Sequence, residues 1–381
     1  MKKIIFLLLL QTTIFAQRNV DLFNSLKLGE SRELTIEVPE NYATNLNKKY
    51  PLLILLDGDY LFDPFSGMLK YSNYWQDLPE TIIVGINQNK KSEREFDTEY
   101  NEDEGVPSDK GAKFFEFIGG ELLPYLEKKF RIAPFKIIAG HNLTAGYLNF
   151  FLYKDKPLFN AYISLSPEFP PKMQTLLPQR LADIKEPIFY YQAVADGDNE
   201  EIRNPIKLMD ESIKKIKNAK LNYKFDDFKN TSHYSMVLSS IPNALYQIFD
   251  SYKPISSADY DKILALKDGY AVYLKNKYKT ISENLGIDLE LRYNDFKAIE
   301  QAIIKNKAYE ELDEMAQLAR KNFPKTMLAD YELALLYESR GDLKNASKHY
   351  LAAYTQNEVG DLTKNMMMEK VSELKKANPK K

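Results

Sequence analysis

Over the first two thirds of the chain, short unbroken apolar runs alternate with stretches whose apolar positions recur every three or four residues. PLLILLD (51–57), TIIVGI (81–86), FKIIAG (135–140), AYISLS (161–166) and PIFYYQAV (187–194) are such runs. They read as strands covered on both faces. ELTIEVP (33–39) alternates polar and apolar residues, as a half-buried strand does. Between the runs, KFFEFIGGELLPYLEKKF (113–130) sets Phe114, Phe117, Ile118, Leu122, Tyr125 and Leu126 on one stripe. GYLNFFLYK (146–154) and IRNPIKLMDESIKKIKN (202–218) also read as helices. Helices alternating with buried strands predict an α/β fold, a mostly parallel sheet with helices on both faces. The acidic stretch 90–111 reads as a surface loop, which at this length is a lid or a mobile segment.

After about residue 254 the buried strand runs stop. ADYELALLYESRGDLKNASKHYLAAYTQNE (329–358) predicts two antiparallel helices joined at Gly341. Ala334, Tyr337, Gly341, Ala346, Tyr350 and Ala353 fit the spacing of a tetratricopeptide repeat, in which small residues let two helices approach and aromatics fill the gap. Thirty-four residues upstream, Ala319, Ala316, Leu312 and Ile303 repeat the spacing more weakly. A plain helical hairpin is the alternative. The expected organisation is an α/β domain over 18–253, a helical linker over 254–290 and a small all-α repeat segment over 291–375. Such a segment serves as an interaction surface or caps the main domain.

Composition narrows the function. A net charge of −2 provides no field of one sign for nucleic acid or an anionic membrane. The start, MKKIIFLLLLQTTIFAQ, carries two lysines and an apolar run too short to span a bilayer. It matches a secretory signal over 1–16, cut after Ala16, with a short N-terminal anchor as the alternative. The expectation is an exported chain without a transmembrane span after signal removal. With no cysteine, thiol catalysis and cysteine-ligated metal are excluded. His141, His233 and His349 show no metal-ligand spacing, so neither metal nor cofactor is expected.

The candidate chemistry lies in KIIAGHNLTAG (136–146), a strand that breaks at a glycine-containing turn and enters a helix. In α/β-hydrolases the motif G-x-S-x-G occupies such a turn and holds a nucleophilic serine clear of the sheet. Here Gly140 is present, while Asn142 and Thr144 stand where that motif has serine and the last glycine. Other stretches follow in order: YPLLILLDGDYLF (50–62), IIVGIN (82–87), FFEFIGGELLPYLEKKFRI (114–132), IIAGHNLTAGYLNFFLYKDKPLFNAYISLSPEF (137–169), DGDNEE (196–201) and TSHYSMV (231–237). Together, from about residue 30 to 253, they resemble the putative-esterase family of enterochelin esterases, feruloyl esterases and S-formylglutathione hydrolase.

That resemblance implies an α/β-hydrolase fold and roles for particular residues. The histidine falls on His233 and the acid on Glu200, with Asp198 and Glu201 as alternatives. The oxyanion donors fall on the N–H of Leu143 and an N–H near Gly58–Asp59, and the nucleophile position falls on Asn142. An amide nitrogen cannot act as serine does, because its lone pair is delocalised, although Asn is among the few residues that tolerate positive φ. Thr144, Ser164 and Ser166 are the nearby hydroxyls that could substitute. His141 reads as a buried structural residue, His349 as part of the repeat face, and Trp75 as core rather than a sugar-stacking platform. Arg94 reads as a solvated loop arginine or as one reaching a substrate carboxylate.

The functional expectation is a catalytically degenerate esterase-like protein that binds an ester-like small molecule in its cleft or a protein through its C-terminal helices. One alternative is an active hydrolase in which His233 and Glu200 activate water, or in which Asn142 deamidates to an aspartate. Another is an envelope scaffold acting through the helical repeats.

Overall fold

The computed structural model describes residues 18–377, so the expected signal over 1–16 lies outside the described residues. The chain divides into two compact units, Met1–Asp250 and Ser251–Lys381.

The first unit is built on eight strands: β1 (Arg18–Ser25), β2 (Glu30–Glu37), β3 (Tyr50–Leu55), β4 (Ile82–Ile86), β5 (Ile132–His141), β6 (Ala161–Leu165), β7 (Ile188–Ala195) and β8 (Leu221–Phe228). Their order is β1-β2-β4-β3-β5-β6-β7-β8. β2 is antiparallel to both β1 and β4, and every later pairing is parallel. The helices of this unit are α1 (Gly58–Tyr74), α2 (Glu93–Asp97), α3 (Asp109–Glu116), α4 (Leu123–Lys129), α5 (Leu143–Tyr147), α6 (Met173–Ala182), α7 (Glu200–Ile213) and α8 (Ser235–Ile248). A π-helical turn, Phe117–Leu122, joins α3 to α4.

The unbroken apolar runs became strands because both of their faces are covered. Leu52, Ile54 and Leu56 share one core with Phe114, Phe117, Leu126, Leu177 and Met209, from α3 to α7. Alternation along β3 sends Leu53 and Leu55, also fully buried, to the opposite face. There α1 and α8 pack, in contact with each other. The expected doubly covered, mostly parallel sheet is therefore present.

The stretch 90–111 is folded onto the unit rather than standing free. It contains α2 and a bridge between Tyr100 and Pro107. The Gly111 carbonyl accepts from the Tyr147 hydroxyl at 2.6 Å, and Lys172 Nζ donates to the Asp103 carbonyl at 2.6 Å. Trp75 is not a core residue. It is 60% exposed at the end of α1, edge-on to the exposed Tyr74.

The second unit contains α9 (Ser257–Leu264), α10 (Tyr270–Leu285), α11 (Tyr293–Lys305), α12 (Leu312–Asn322), α13 (Leu328–Ser339), α14 (Leu343–Tyr354) and α15 (Lys364–Ala377). α13 and α14 form the expected hairpin, turning at Gly341 with φ +72°, and they bury Ala334, Ala346, Tyr350 and Ala353. The segment expected to be a linker is part of this unit's core: Ile263, Tyr270, Ala271 and Leu274 pack with the later helices. Its apolar positions are therefore packing contacts rather than incidental.

Candidate active site

The bend between β5 and α5 lies at Asn142, with φ +58° and ψ −114°. The φ is positive as expected, but ψ falls outside the left-handed helical well in which Asn is at ease. A bend of this kind stores about 1–3 kcal/mol. Its neighbours hold it in place. Asn142 N–H donates to the Leu165 carbonyl at 2.9 Å, and its own carbonyl accepts from Gly146 N–H at 3.0 Å and Glu168 N–H at 3.1 Å. Gly140 and Gly146 leave the room the bend requires. A Cβ at Gly140 would lie 2.7 Å from Thr144 Oγ1, and one at Gly146 would lie 1.8 Å from the Glu168 carbonyl oxygen. Leu143 opens α5, so its N–H is outside that helix's own hydrogen bonding, and Gly58 and Asp59 stand likewise at the start of α1.

The turns after β7 and β8 are joined to each other. Gly197 N–H donates to the Thr231 carbonyl at 3.0 Å, and the Asp196 carboxylate accepts from the N–H groups of Asn230 at 2.7 Å and Thr231 at 3.1 Å. This brings His233 Nδ1 to 2.5 Å from Asp198 Oδ1. The carboxylate that meets His233 is thus Asp198, not Glu200. Asn199 caps α7, accepting from Ile202 N–H at 2.9 Å, so Glu200 and Glu201 already belong to the exposed first turn of the helix. An N-cap asparagine is readable in DGDNEE and could have placed the acid before it. Burial opposes charge on Asp198, but donors from His233, Ser166 (2.6 Å) and Ala195 N–H (2.8 Å) outweigh it. Its carboxyl therefore lies below the ordinary value.

His141 lies beside this pair, its ring centroid 4.3 Å from that of His233. It is buried, and its Nδ1 is 3.1 Å from the Tyr60 hydroxyl. Burial, with the charges of His233 and Arg94 adding to it, depresses its pKa to about 3. Tyr234, 76% exposed, stands edge-on to His233.

Sequence reasoning missed a polar knot beneath the bend. Arg94 Nε donates to Asp57 Oδ1 at 2.6 Å, and its terminal nitrogen donates to the His141 carbonyl at 2.8 Å. Arg94 is therefore tied into the unit beneath the bend rather than free in a solvated loop. Thr144, fully buried, donates its hydroxyl to the other Asp57 oxygen. Its Oγ1 also accepts from His141 N–H at 2.9 Å. Thr144 thus fills its place beside Gly140 with a bonded side chain. Ser164 Oγ donates to the Ala145 carbonyl at 2.9 Å, and Ser166 is engaged with Asp198. Among the described residues, no group of three or more His, Asp or Glu is placed to hold a metal ion, and no helix is long and apolar enough to cross a membrane.

Residues 25–219, just over half of the chain, match the family model described as putative esterase. The chain belongs to the putative-esterase family. A solved, uncharacterised protein from Capnocytophaga ochracea is 30% identical, with 94% of this chain and 100% of that chain covered and a TM-score of 0.86. Two further solved structures share the esterase-family fold at 21% identity. One is an IroE-like serine hydrolase from Shewanella oneidensis (80% of this chain, 99% of that chain, TM-score 0.60). The other is the BES protein from Bacillus cereus (62% of this chain, 95% of that chain, TM-score 0.53). No functionally curated protein sequence matches the chain.

Proposed function

We propose that this esterase-family protein does not cleave esters by a serine mechanism, and that it binds an ester- or carboxylate-bearing small molecule at the bend around Asn142. The observation that carries this reading is Asn142 at the strained bend, next to the histidine ring that lies against His233. Its amide nitrogen has no free lone pair to place on an acyl carbon. The three serine and threonine hydroxyls nearest in sequence, those of Thr144, Ser164 and Ser166, are engaged with Asp57, Ala145 and Asp198. In a well-studied protease, loss of the nucleophile lowers turnover by on the order of 10⁶. The N–H groups of Leu143, Gly58 and Asp59 remain as donors for a ligand carbonyl or carboxylate.

The test is hydrolysis of p-nitrophenyl acetate together with labelling by a fluorophosphonate. The wild-type chain should do neither. Asn142→Ser should create turnover that His233→Ala then abolishes. Robust wild-type turnover with a labelled serine would overturn the reading.

A second reading is favoured by the intact His233–Asp198 contact, which would be a ready base for a water molecule. Turnover that survives the fluorophosphonate but disappears in His233→Ala would support it. Deamidation of Asn142 would appear as a one-dalton gain in a peptide spanning residues 137–149. Export, argued from the basic and apolar start of the chain, belongs to the same proposal. Fractionation that finds the protein in the cytoplasm would remove that part. The tetratricopeptide reading of α13 and α14 is supported by the small and aromatic residues between them. It suggests a protein partner, and a pull-down with the full chain is its test.

A further inference from the structure

The core of the helical unit contains two acids that no function described above uses. On α13, Glu332 lies between Leu328 and Leu336 at four-residue spacing and is 0% exposed. On α11, Glu300 adjoins Ile299 and is 2% exposed. The two carboxyl groups are within hydrogen-bonding reach of each other. Lys297 Nζ reaches Glu300 Oε1 at 2.5 Å. The other Glu300 oxygen and both Glu332 oxygens meet no donor among the described residues. Two carboxylates at this depth, with one lysine bonded to Glu300 alone, leave a net negative charge in an apolar core, where an unpaired charge is very costly.

We propose that Glu300 and Glu332 hold one proton between them, that this proton is part of the α11–α13 contact, and that the helical unit therefore loosens as pH rises. The proposal is independent of the reading of the bend around Asn142. A carboxyl on Glu332 would supply the donor that the unmatched oxygens lack, leaving a single charge to face Lys297. Burial, reinforced by the Glu300 charge, holds the Glu332 carboxyl well above the ordinary carboxylate range, with Lys297 opposing. Tyr331, beside Glu332, faces both acids, and Glu338 and Asp361 act on it as well. Tyr293 on α11 is hydrogen-bonded to Asp361 and also faces Glu300.

The direction follows from where the proton resides. Above about pH 5 an unfolded glutamate has lost its proton, while the folded pair keeps one. Raising the pH therefore favours opening, by up to about tenfold in the equilibrium per pH unit. The test is amide hydrogen exchange on the full chain at several pH values, expressed as protection factors so that the chemical rate is divided out. Protection over residues 293–305 and 328–339 should fall as the pH is raised above about 5, and Glu332→Gln should flatten that fall. Unchanged protection in the wild-type chain, or an equal fall in Glu332→Gln, would overturn the proposal. Should Glu332→Gln not fold, the wild-type chain still decides the matter. Its infrared spectrum at neutral pH should carry a protonated-carboxyl band that fades as the pH is raised, and absence of that band would overturn the proposal.

Discussion

Asp198 in the α/β unit and Glu332 in the helical unit are both buried acids, yet their surroundings drive them in opposite directions. Asp198 receives donors from His233, Ser166 and Ala195 N–H, and it is held in its charged form. Glu332 receives none and faces a second acid, so it is held neutral. Burial alone does not decide the charge of a carboxyl group. What decides it is the balance between burial and the donors and charges the fold brings within reach. The turns after β7 and β8 are sewn together so that donors converge on Asp198, whereas α11 and α13 pack an acid against an acid.

The largest effect that would sharpen this contrast is kinetic. If Asn142→Ser restores ester cleavage, adding Asp198→Asn should lower the new activity by on the order of 10²–10⁴, because the imidazole of His233 loses the group that orients it and stabilises its charge. Adding Glu200→Gln should leave the activity unchanged. Esterase assays on the two double variants provide the comparison. Equal losses would mean that the contact between His233 and Asp198 is not the functional one.

A smaller effect lies in stability. Asp198→Ala leaves the Ser166 hydroxyl and Ala195 N–H without an acceptor in a buried place, which should cost about 2–4 kcal/mol. Glu332→Leu removes only the shared proton offered to Glu300 and fills the place with an apolar side chain, so it should cost less, about 1–2 kcal/mol. Urea unfolding at pH 7 measures both. If Glu332→Leu is the more damaging change, the contrast between the two acids is wrong.

Much of this arrangement was legible beforehand where residues act through pattern. The central strands announced themselves because both faces of each are covered, and the α13–α14 hairpin because Ala334, Ala346 and Ala353 let two helices close on each other. The edge strands did not. In β1, Val20 and Leu22 are 62% and 69% exposed, so RNVDLFNS carries no burial pattern to read. The elbow was legible from Gly140 and the residues around it, whereas the Arg94–Asp57–Thr144 knot was not. It joins three segments far apart in sequence, and only the fold brings them together. Glu332 offered a signal that went unused: a charged residue at the centre of an apolar stripe between Leu328 and Leu336.

The smallest effect concerns pH and tests whether the helical unit is peculiar in its response. The α/β unit also contains buried groups that titrate, but two of them oppose each other. His141 binds a proton in the unfolded chain below its ordinary pKa of 6.5, and in the folded protein only below about 3. Between those values the unfolded state holds the extra proton, so stability rises with pH. Asp97 is pushed up to about 6 by burial, against the pull of Arg32 and Gln88. Between its ordinary 3.8 and that value the folded state holds the extra proton, so stability falls with pH. Across roughly pH 4 to 6 the two slopes have opposite sign, each up to about 1.4 kcal/mol per pH unit. Asp57, also raised by burial, adds to the falling side. His141 offsets part of that fall, so amide protection in the central strand β5 should fall less steeply over that range than it would without that histidine. His141→Gln removes the rising slope and leaves the falling one, so the variant's β5 protection should drop as the pH is raised from about 4 to about 6. A wild-type β5 that loses protection as steeply as His141→Gln would mean that the buried imidazole does not oppose the fall, and that the α/β unit responds to pH in the same direction as the acid pair of α11 and α13.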